Sequence, residues 1–569
     1  MDGSHARYLR LHCGELAYEA GAPGSLVTKE VRHIVVSPRK TLAGMAVGAV
    51  VGSMTLVGPV QADPTNNSVD TLTKAVTVQG VLRHLDAFQA IADAHDGTRA
   101  SGTSGFTASA DYVAGKLAEA GYQVTRQPFQ FPFYEEFGSS FAQVAPNPTT
   151  YVDGVDYDLM DYSAAGDVTG GVVPVDLALA NPATSSSGCQ PGDFTGLNLT
   201  GKVALMQRGE CSFGQKATNA RAAGAVGAII MNQGNGTPAN NPDRFALFAG
   251  TLGGPVGIPV VSVSFAKGVE LASTAGLTVR ITADTTSEVR STENVIAQSR
   301  EGRTDNVVMA GAHLDSVPEG PGFNDNGTGS AAILEVALQM AKVKPNNAVR
   351  FAWWGAEEGG LLGSNHYVNT LSPAQRADIA LYLNFDMIGS PNYVYGIYDG
   401  DDSAASGSGP GPAGSAQIED VFEAFFASRG LPTVPADFTG RSDYGPFIAP
   451  GVGIPAGGLF TGAEGVKTAA EAALVGGVAG KSYDPCYHQA CDSLTPVADG
   501  ADATLYGQLA GNALYGNVST TALDVNSDAI ATAVITFAYD TSTVNSVPRA
   551  PGKSHAAGSS EDAHGHQTM

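Results

Sequence analysis

Residues 306–315, Asn-Val-Val-Met-Ala-Gly-Ala-His-Leu-Asp, lead through a glycine- and asparagine-rich loop into Ser330–Lys342 (SAAILEVALQMAK) and then Ala348–Ala356 (AVRFAWWGA). An apolar run of strand length, a longer run of helical composition and a second apolar run predict strand, helix, strand. NVIAQS (294–299) precedes this unit and ALYLNFDMIG (380–389) continues it. Such alternation implies an α/β fold, a mixed, mostly parallel sheet covered by helices. In sheets of this kind ligands gather at the carboxyl ends of the strands. Polar residues at those ends are therefore the place to look for chemistry.

On the N-terminal side, LRHLDAFQAIADAH and SADYVAGKLAEAGY predict two amphipathic helices joined by the loop GTRASGTSG, with QVTRQPFQF as a strand after them. From 150 to 287 the texture changes. GKVALMQRG, AIIMN and IPVVSVS read as short strands between Gly/Asn/Pro turns, interrupted by one helix, GQKATNARAAGA. This predicts a β-rich domain inserted into a discontinuous main domain, 63–149 and 288–547. LYGQLAGNALYGNV and SDAIATAVITFAYDT predict helices near the end. The Pro/Gly/Ser/His-rich residues 548–569, with His555, His564 and His566, predict a disordered tail.

With 569 residues the chain is too long for a single core. A net charge of −24 excludes nucleic acid and anionic membranes as partners, since both select basic patches. Arg39-Lys40, the apolar run TLAGMAVGAVVGSMTLVGPV and the exit Val60-Gln61-Ala62 form a secretory signal peptide over 39–62. The competing reading is a membrane anchor, because the apolar run is nearly long enough to span. Residues 1–38 carry no pattern and are set aside as an N-terminal extension of uncertain origin. On the signal-peptide reading the protein is secreted and has no membrane contact after cleavage. Four of the five cysteines predict two local disulfides, Cys189–Cys211 and Cys486–Cys491, which suits export; Cys13 lies in the extension.

The chemistry-bearing residues stand where the predicted strands stop. His313 and Asp315 close AGAHLD, Asp325 lies in GFNDNGTGS just before a helix, Glu357 and Glu358 follow AVRFAWWGA, and Asp386 closes LYLNFD. His488 lies far downstream, inside Cys486-Tyr-His-Gln-Ala-Cys491. Each has a bland reading alone: a hydrogen-bonded histidine, a turn-forming aspartate, a solvated glutamate pair. Gathered at one sheet edge without cations, they would cost several kcal/mol each. Imidazole with carboxylate and no thiolate suits zinc, where an all-oxygen set would suit magnesium or calcium. Two histidines and three or more carboxylates fit two metals sharing one carboxylate. One glutamate of the pair would then bind metal while its neighbour takes the proton of a water molecule.

The set AHLDS, GFNDNGTG, WWGAEEGGLLGS, NFDMIG and YHQACD resembles the M28 di-zinc aminopeptidases, in particular the secreted bacterial leucine-preferring and aminopeptidase Y-like members. GKVALMQRGECSFGQKATNARAAGAVGAII is similar to a protease-associated (PA) domain, and the likeness spans about 75–540. The resemblance implies a zinc-exopeptidase fold with two Zn²⁺ per chain bridged by Asp325. His313 and Asp386 would complete one zinc site, and Glu358 and His488 the other. Glu357 would be general base and acid, Asp315 would orient the His313 ring, and Tyr487 would donate to the oxyanion. It also implies a cis peptide at Asp325–Asn326. In TGRSDY, Arg441 is a substrate contact or a surface salt bridge, and Asp443 a structural residue. Met387 and Phe460 line an apolar pocket or belong to the core; the pocket implies N-terminal residues of leucine type. Peptide substrates, a monomer and a calcium site of unassigned position complete the expectations. Three other readings compete. A carboxypeptidase-like M28 enzyme would need a basic cluster that the sequence lacks. A non-catalytic binding relative would have lost ligands that are all present here. A single-zinc glutaminyl cyclase would carry neither the PA insertion nor the full ligand set.

Overall fold

The structure, a computed structural model, describes residues 66–548 apart from residue 406. The N-terminal extension, the signal peptide, Cys13 and the histidines of the tail lie outside the described residues. No helix among the described residues is long and apolar enough to cross a membrane.

Fourteen strands form one sheet. In chain order they are β1 (Gln123–Ala145), β2 (Thr149–Thr150), β3 (Tyr157–Leu159), β4 (Gly166–Pro174), β5 (Val203–Gln207), β6 (Gly227–Met231), β7 (Val260–Val263), β8 (Thr278–Gln298), β9 (Arg303–His313), β10 (Asn347–Trp354), β11 (Ile379–Phe385), β12 (Gly396–Tyr398), β13 (Val434–Ala436) and β14 (Ala456–Phe460). The order across the sheet is β13-β12-β14-β11-β9-β10-β8-β4-β5-β6-β7-β3. β10, β9, β11 and β14 are parallel neighbours, as are β4, β5, β6 and β7, so the fold is the mixed, mostly parallel α/β sheet the alternation implies.

The sheet is continuous because β8 serves both halves. Its first residues pair with β4 from Thr278↔Gly171 to Ala283↔Gly166, and its last pair with β10 from Val295↔Trp353 to Gln298↔Arg350. β1 runs antiparallel to β8 from Gln123↔Gln298 to Ala145↔Thr278. NVIAQS and QVTRQPFQF are thus the ends of two long strands. Phe129, Phe131 and Phe133 alternate along β1 at the spacing of one pleated face and pack on Ala356 and Leu362.

Helices cover both faces of the main half. The helix Gly327–Met340 is buried on nearly all sides, as a helix apolar all round must be. With Val78–Ala94, Ser104–Glu119 and Thr520–Tyr539 it encloses the larger core. A second core on the opposite face collects Trp354, Tyr382, Phe447 and Tyr444. Trp353 and Trp354, adjacent on β10, point to opposite faces, and each indole N–H finds an acceptor, Ser330 O at 3.1 Å and the Tyr382 hydroxyl at 2.8 Å.

Two expectations are corrected. The inserted region holds a second helix, Phe265–Ser273, beside Phe213–Ala222; its start is capped by Ser264, whose hydroxyl accepts from Lys267 N–H. LYGQLAGNALYGNV is not one helix but a short helix Ala503–Gln508, a 3₁₀ turn and a tight hairpin pairing Leu514–Tyr515 with Val518–Ser519. Gly516, at φ +60°, supplies the left-handed residue the hairpin turn requires.

Candidate active site

The register of three parallel strands builds the site. Trp354 of β10 pairs with His313 of β9, and Asn384 of β11 pairs with Gly311, so Glu357, His313 and Asp386 emerge side by side from the same edge. Asp325 comes from the loop before Gly327–Met340. There Asn326 caps the helix by accepting from Gly329 N–H, and Asp325–Asn326 is a cis peptide. Gly329 lets this helix start press on the end of β11: a Cβ there would lie 2.2 Å from the Phe385 carbonyl oxygen. His488 arrives in the loop closed by the Cys486–Cys491 disulfide; the other disulfide, Cys189–Cys211, lies in the inserted region.

His313 Nε2 lies 3.2 Å from Asp386 Oδ1, 3.3 Å from Asp325 Oδ1 and 3.9 Å from Glu357 Oε2. His488 Nε2 lies 3.0 Å from Glu358 Oε2 and 3.4 Å from Asp325 Oδ2. Asp325 therefore turns one carboxylate oxygen to each imidazole. The donor atoms of His313, Asp325 and Glu358 lie within 4.8 Å of one another, and so do those of His313, Glu357 and Asp386. Glu357 is thus near enough to His313 and Asp386 for its carboxylate to share an ion with them. The His488 side chain is 37% exposed against 1% for His313, so the site opens on the His488 side.

Acids dominate the electrostatics. Burial pushes the Glu357 carboxyl well above the usual range; the charge of His313 opposes this, while Asp443, Glu358 and Asp386 add to it. Burial would lower both histidines, yet neighbouring acids prevail: Asp386 and Glu357 raise His313 well above its ordinary value, and Glu358 and Asp325 push His488 up to about 11. Glu358 Oε1 is buried and has no hydrogen-bond partner among the described residues. An acid cluster that draws protons onto two imidazoles and keeps a buried acceptor unused fits divalent cations, and the imidazole–carboxylate donor set fits zinc.

The acid–imidazole group lines a cleft of about 280 Å³ together with other expected residues. Met387, Phe460, Arg441 and Tyr487 all line it. Arg441 lines the cleft and makes the salt bridge that was the second expectation for it. Its guanidinium pairs with Glu464 at 2.6 Å while Nη2 donates to the Tyr487 hydroxyl at 3.4 Å. The Tyr487 ring stacks on His488, centroids 3.8 Å apart. Asp315 stands on the Nδ1 side of the His313 ring with both its carbonyl and its carboxylate. Its backbone carbonyl, 3.1 Å from His313 Nδ1, is nearer than its carboxylate at 3.7 Å, and the carboxylate accepts from Glu357 N–H at 3.3 Å. Asp443 is buried, accepts from Ser364 Oγ at 2.5 Å, and is pushed up to about 8 by burial.

Other residues at the site carry no sequence signal of their own. Ser442 Oγ donates to Asp386 Oδ2 at 2.7 Å and is itself held by Asn384. Arg99, fully buried, donates to the carbonyls of Leu314, Pro321 and Gly322, binding together the loop that links His313 to Asp325. Asn294 of β8 accepts from Gly355 N–H at 3.1 Å and donates to Gly363 O at 2.8 Å, closing the loop that carries both glutamates. Ala356, Met387 and His488 have positive φ of 51°, 48° and 56°. Each is a ligand candidate or adjoins one of the acids, the kind of place where proteins tolerate left-handed backbone.

Residues 294–510 match the model of peptidase family M28, and residues 168–271 that of the PA domain. An aminopeptidase of Pseudomonas aeruginosa is 45% identical over 485 residues, 85% of either chain. Leucine aminopeptidase 2 of Trichophyton tonsurans is 41% identical over 440 residues, 76% of this chain and 82% of that one. In three dimensions the chain is similar to an aminopeptidase from Aneurinibacillus sp. strain AM-1, with TM-score 0.55 and 24% identity, over 82% of this chain and 95% of that one, a likeness of fold.

Proposed function

The chain belongs to peptidase family M28, and on that premise we propose that it is an exported aminopeptidase, active with two zinc ions and selective for large apolar N-terminal residues. The observation that carries the reading is Asp325, whose two oxygens lie 3.3 and 3.4 Å from two different imidazoles, each of which has a further carboxylate beside it. In this reading Asp325, His313 and Asp386 would hold one zinc ion, and Asp325, Glu358 and His488 the other. Bound there, zinc would supply a Lewis acid that lowers the pKa of a water and polarises a carbonyl.

The protein's own groups do the rest. Glu357, buried among acids that favour its protonated form, takes the proton of the attacking water and passes it to the departing amine. Tyr487 donates its hydroxyl to the developing oxyanion, held at its post by Arg441 and by stacking on His488. The surplus of carboxylates holds a substrate's free ammonium. Met387, Phe460, Val394 and Tyr398 line the cleft that receives the first side chain. Arg441 is the only lysine or arginine lining that cleft among the described residues, and Glu464 neutralises it. This favours an amine over a carboxylate as the recognised terminus. The leucine aminopeptidase among the relatives supports the apolar preference. Two disulfides support export, and we assign the protein as a secreted monomer. Residues 150–287 form the inserted PA domain in this division, a lid or a filter of substrate length.

The deciding experiment compares leucine p-nitroanilide with its N-acetylated form, using enzyme stripped by chelator and titrated with Zn²⁺. Cleavage of the free amine alone, rising to about two equivalents of zinc, is expected. Cleavage of the blocked substrate, or no recovery with zinc, would sink the reading.

A further inference from the structure

We propose that Asp484, Asp492 and Asn517 form a brace that fixes His488 against Asp325, and so positions the half of the site those two residues would build; this rests on the two-zinc reading. The disulfide loop carries a buried aspartate on each flank, Asp484 just before Cys486 and Asp492 directly after Cys491. The Asp492 carboxylate accepts the N–H groups of Asn324 and of Asp325 itself, one on each oxygen, at 2.8 and 2.9 Å. Its backbone carbonyl accepts from Phe323 N–H at 2.9 Å. On the other flank one Asp484 oxygen accepts from Cys486 N–H at 2.8 Å, and the second accepts from the Asn324 side chain at 2.7 Å.

Asn517, in the hairpin that follows, joins the two flanks. Its single amide nitrogen donates to Asp492 Oδ1 at 2.7 Å and to Asp484 Oδ1 at 3.0 Å, and the Tyr506 hydroxyl donates to its oxygen, so the amide has one orientation. Both ends of the loop carrying His488 are therefore bonded to the loop carrying Asp325. The disulfide closes the His488 loop on itself, while the brace bonds both flanks of that loop to the backbone and side chain of the Asp325 loop. Neither aspartate forms an ion pair among the described residues. Two buried carboxylates whose hydrogen bonds come from amides are a costly way to shape a turn, and what they secure is the spacing of two residues that must meet one ion. They act through Asp325 and His488 and are positioning residues.

The test is calorimetric titration of chelator-stripped full-length enzyme with Zn²⁺, with visible spectra of the Co²⁺ form, for the wild type, Asp492→Asn and Asn517→Ala. The wild type is expected to take two equivalents. Both variants should lose about tenfold or more on the second equivalent, the scale of lost support behind a metal ligand, and less on the first, which shares only Asp325 with it. The cobalt spectrum of the second equivalent alone should change, as in His488→Ala. An unchanged second affinity in both variants, or an equal loss on both equivalents, overturns the brace. If Asp492→Asn does not fold, the Asn517→Ala result decides. A wild type that binds two ions beside unaffected variants refutes the brace alone, whereas a wild type that binds only one refutes the two-zinc reading and the brace with it.

Discussion

At the scale of single residues the sharpest question is what separates Glu357 from Glu358. They are neighbours in sequence, yet Glu358 lies 3.0 Å from His488, and Glu357 stands 3.9 Å from His313 with its N–H held by Asp315. If Glu357 is the proton carrier, Glu357→Gln should lower kcat by about 10³, within the range for a general base, with zinc stoichiometry by metal analysis unchanged. Loss of a zinc equivalent in that variant would make Glu357 a ligand instead. Both glutamates were legible in the sequence because an apolar strand ran straight into two charges. Ser442, which holds Asp386, was not legible, nor was Arg99. Their partners come from segments remote in sequence, and a serine or an arginine in a loop of small residues looks like any other. Asp492 stood inside a recognised motif, but its part depends on a backbone it meets only in the fold.

Elements were legible where periodicity was unbroken and misread where it was not. β9, β10 and β11 followed from continuous apolar runs. Only one end each of β1 and β8 was legible; Ser287 to Arg290 carry no buried alternation, and the alternating start of β8, Thr278 to Thr285, falls within the inserted β-rich region. The stretch Leu505–Val518 had helical composition, but its glycines weakened the helix in favour of a hairpin. The start of the helix Gly327–Met340 depends on a glycine of another kind. Gly329→Ala would drive a methyl group into the Phe385 carbonyl and the Asn326 side chain, pushing the Asp325 loop away from Asp386. The expected cost is about 1–3 kcal/mol of stability, as for overpacking, together with weaker zinc binding. Denaturant unfolding and metal titration of the variant measure the two effects. A variant of wild-type stability would show that this contact yields.

For the whole molecule, the β1–β8 ribbon decides which parts separate. The register places Glu136 opposite Thr285, beside the irregularity at Phe137. Joining those two residues by a short turn should remove the inserted region and leave a closed hairpin still packed on Ala356 and Leu362. The shortened chain is expected to fold, by circular dichroism, and to cleave leucine p-nitroanilide; a change confined to long peptides would support the filter role, and equal kinetics on short and long peptides would remove it. The inserted region has its own pH signature in Lys216. Burial lowers its amine from 10.5 to about 8, against the pull of Asp193 and Glu210. Between those values the unfolded chain holds a proton that the folded chain has released, so stability should rise with pH across that window and stay level below it. Unfolding in denaturant should show the rise in the wild type and a smaller one in Lys216→Met, the remainder coming from Lys467, whose amine burial also lowers to about 8.

The same ribbon governs the order of events during folding. Gln123 cannot meet Gln298 until everything between them has been made, and a wide loop closes at an entropic cost that grows with its length. The region between the two strands has its own cores, so folding it first draws the strand ends together before they pair. Newly made chain should therefore acquire its inserted region early and its catalytic edge last, and until β10 arrives the last residues of β8 remain an unpaired strand edge open to misassociation.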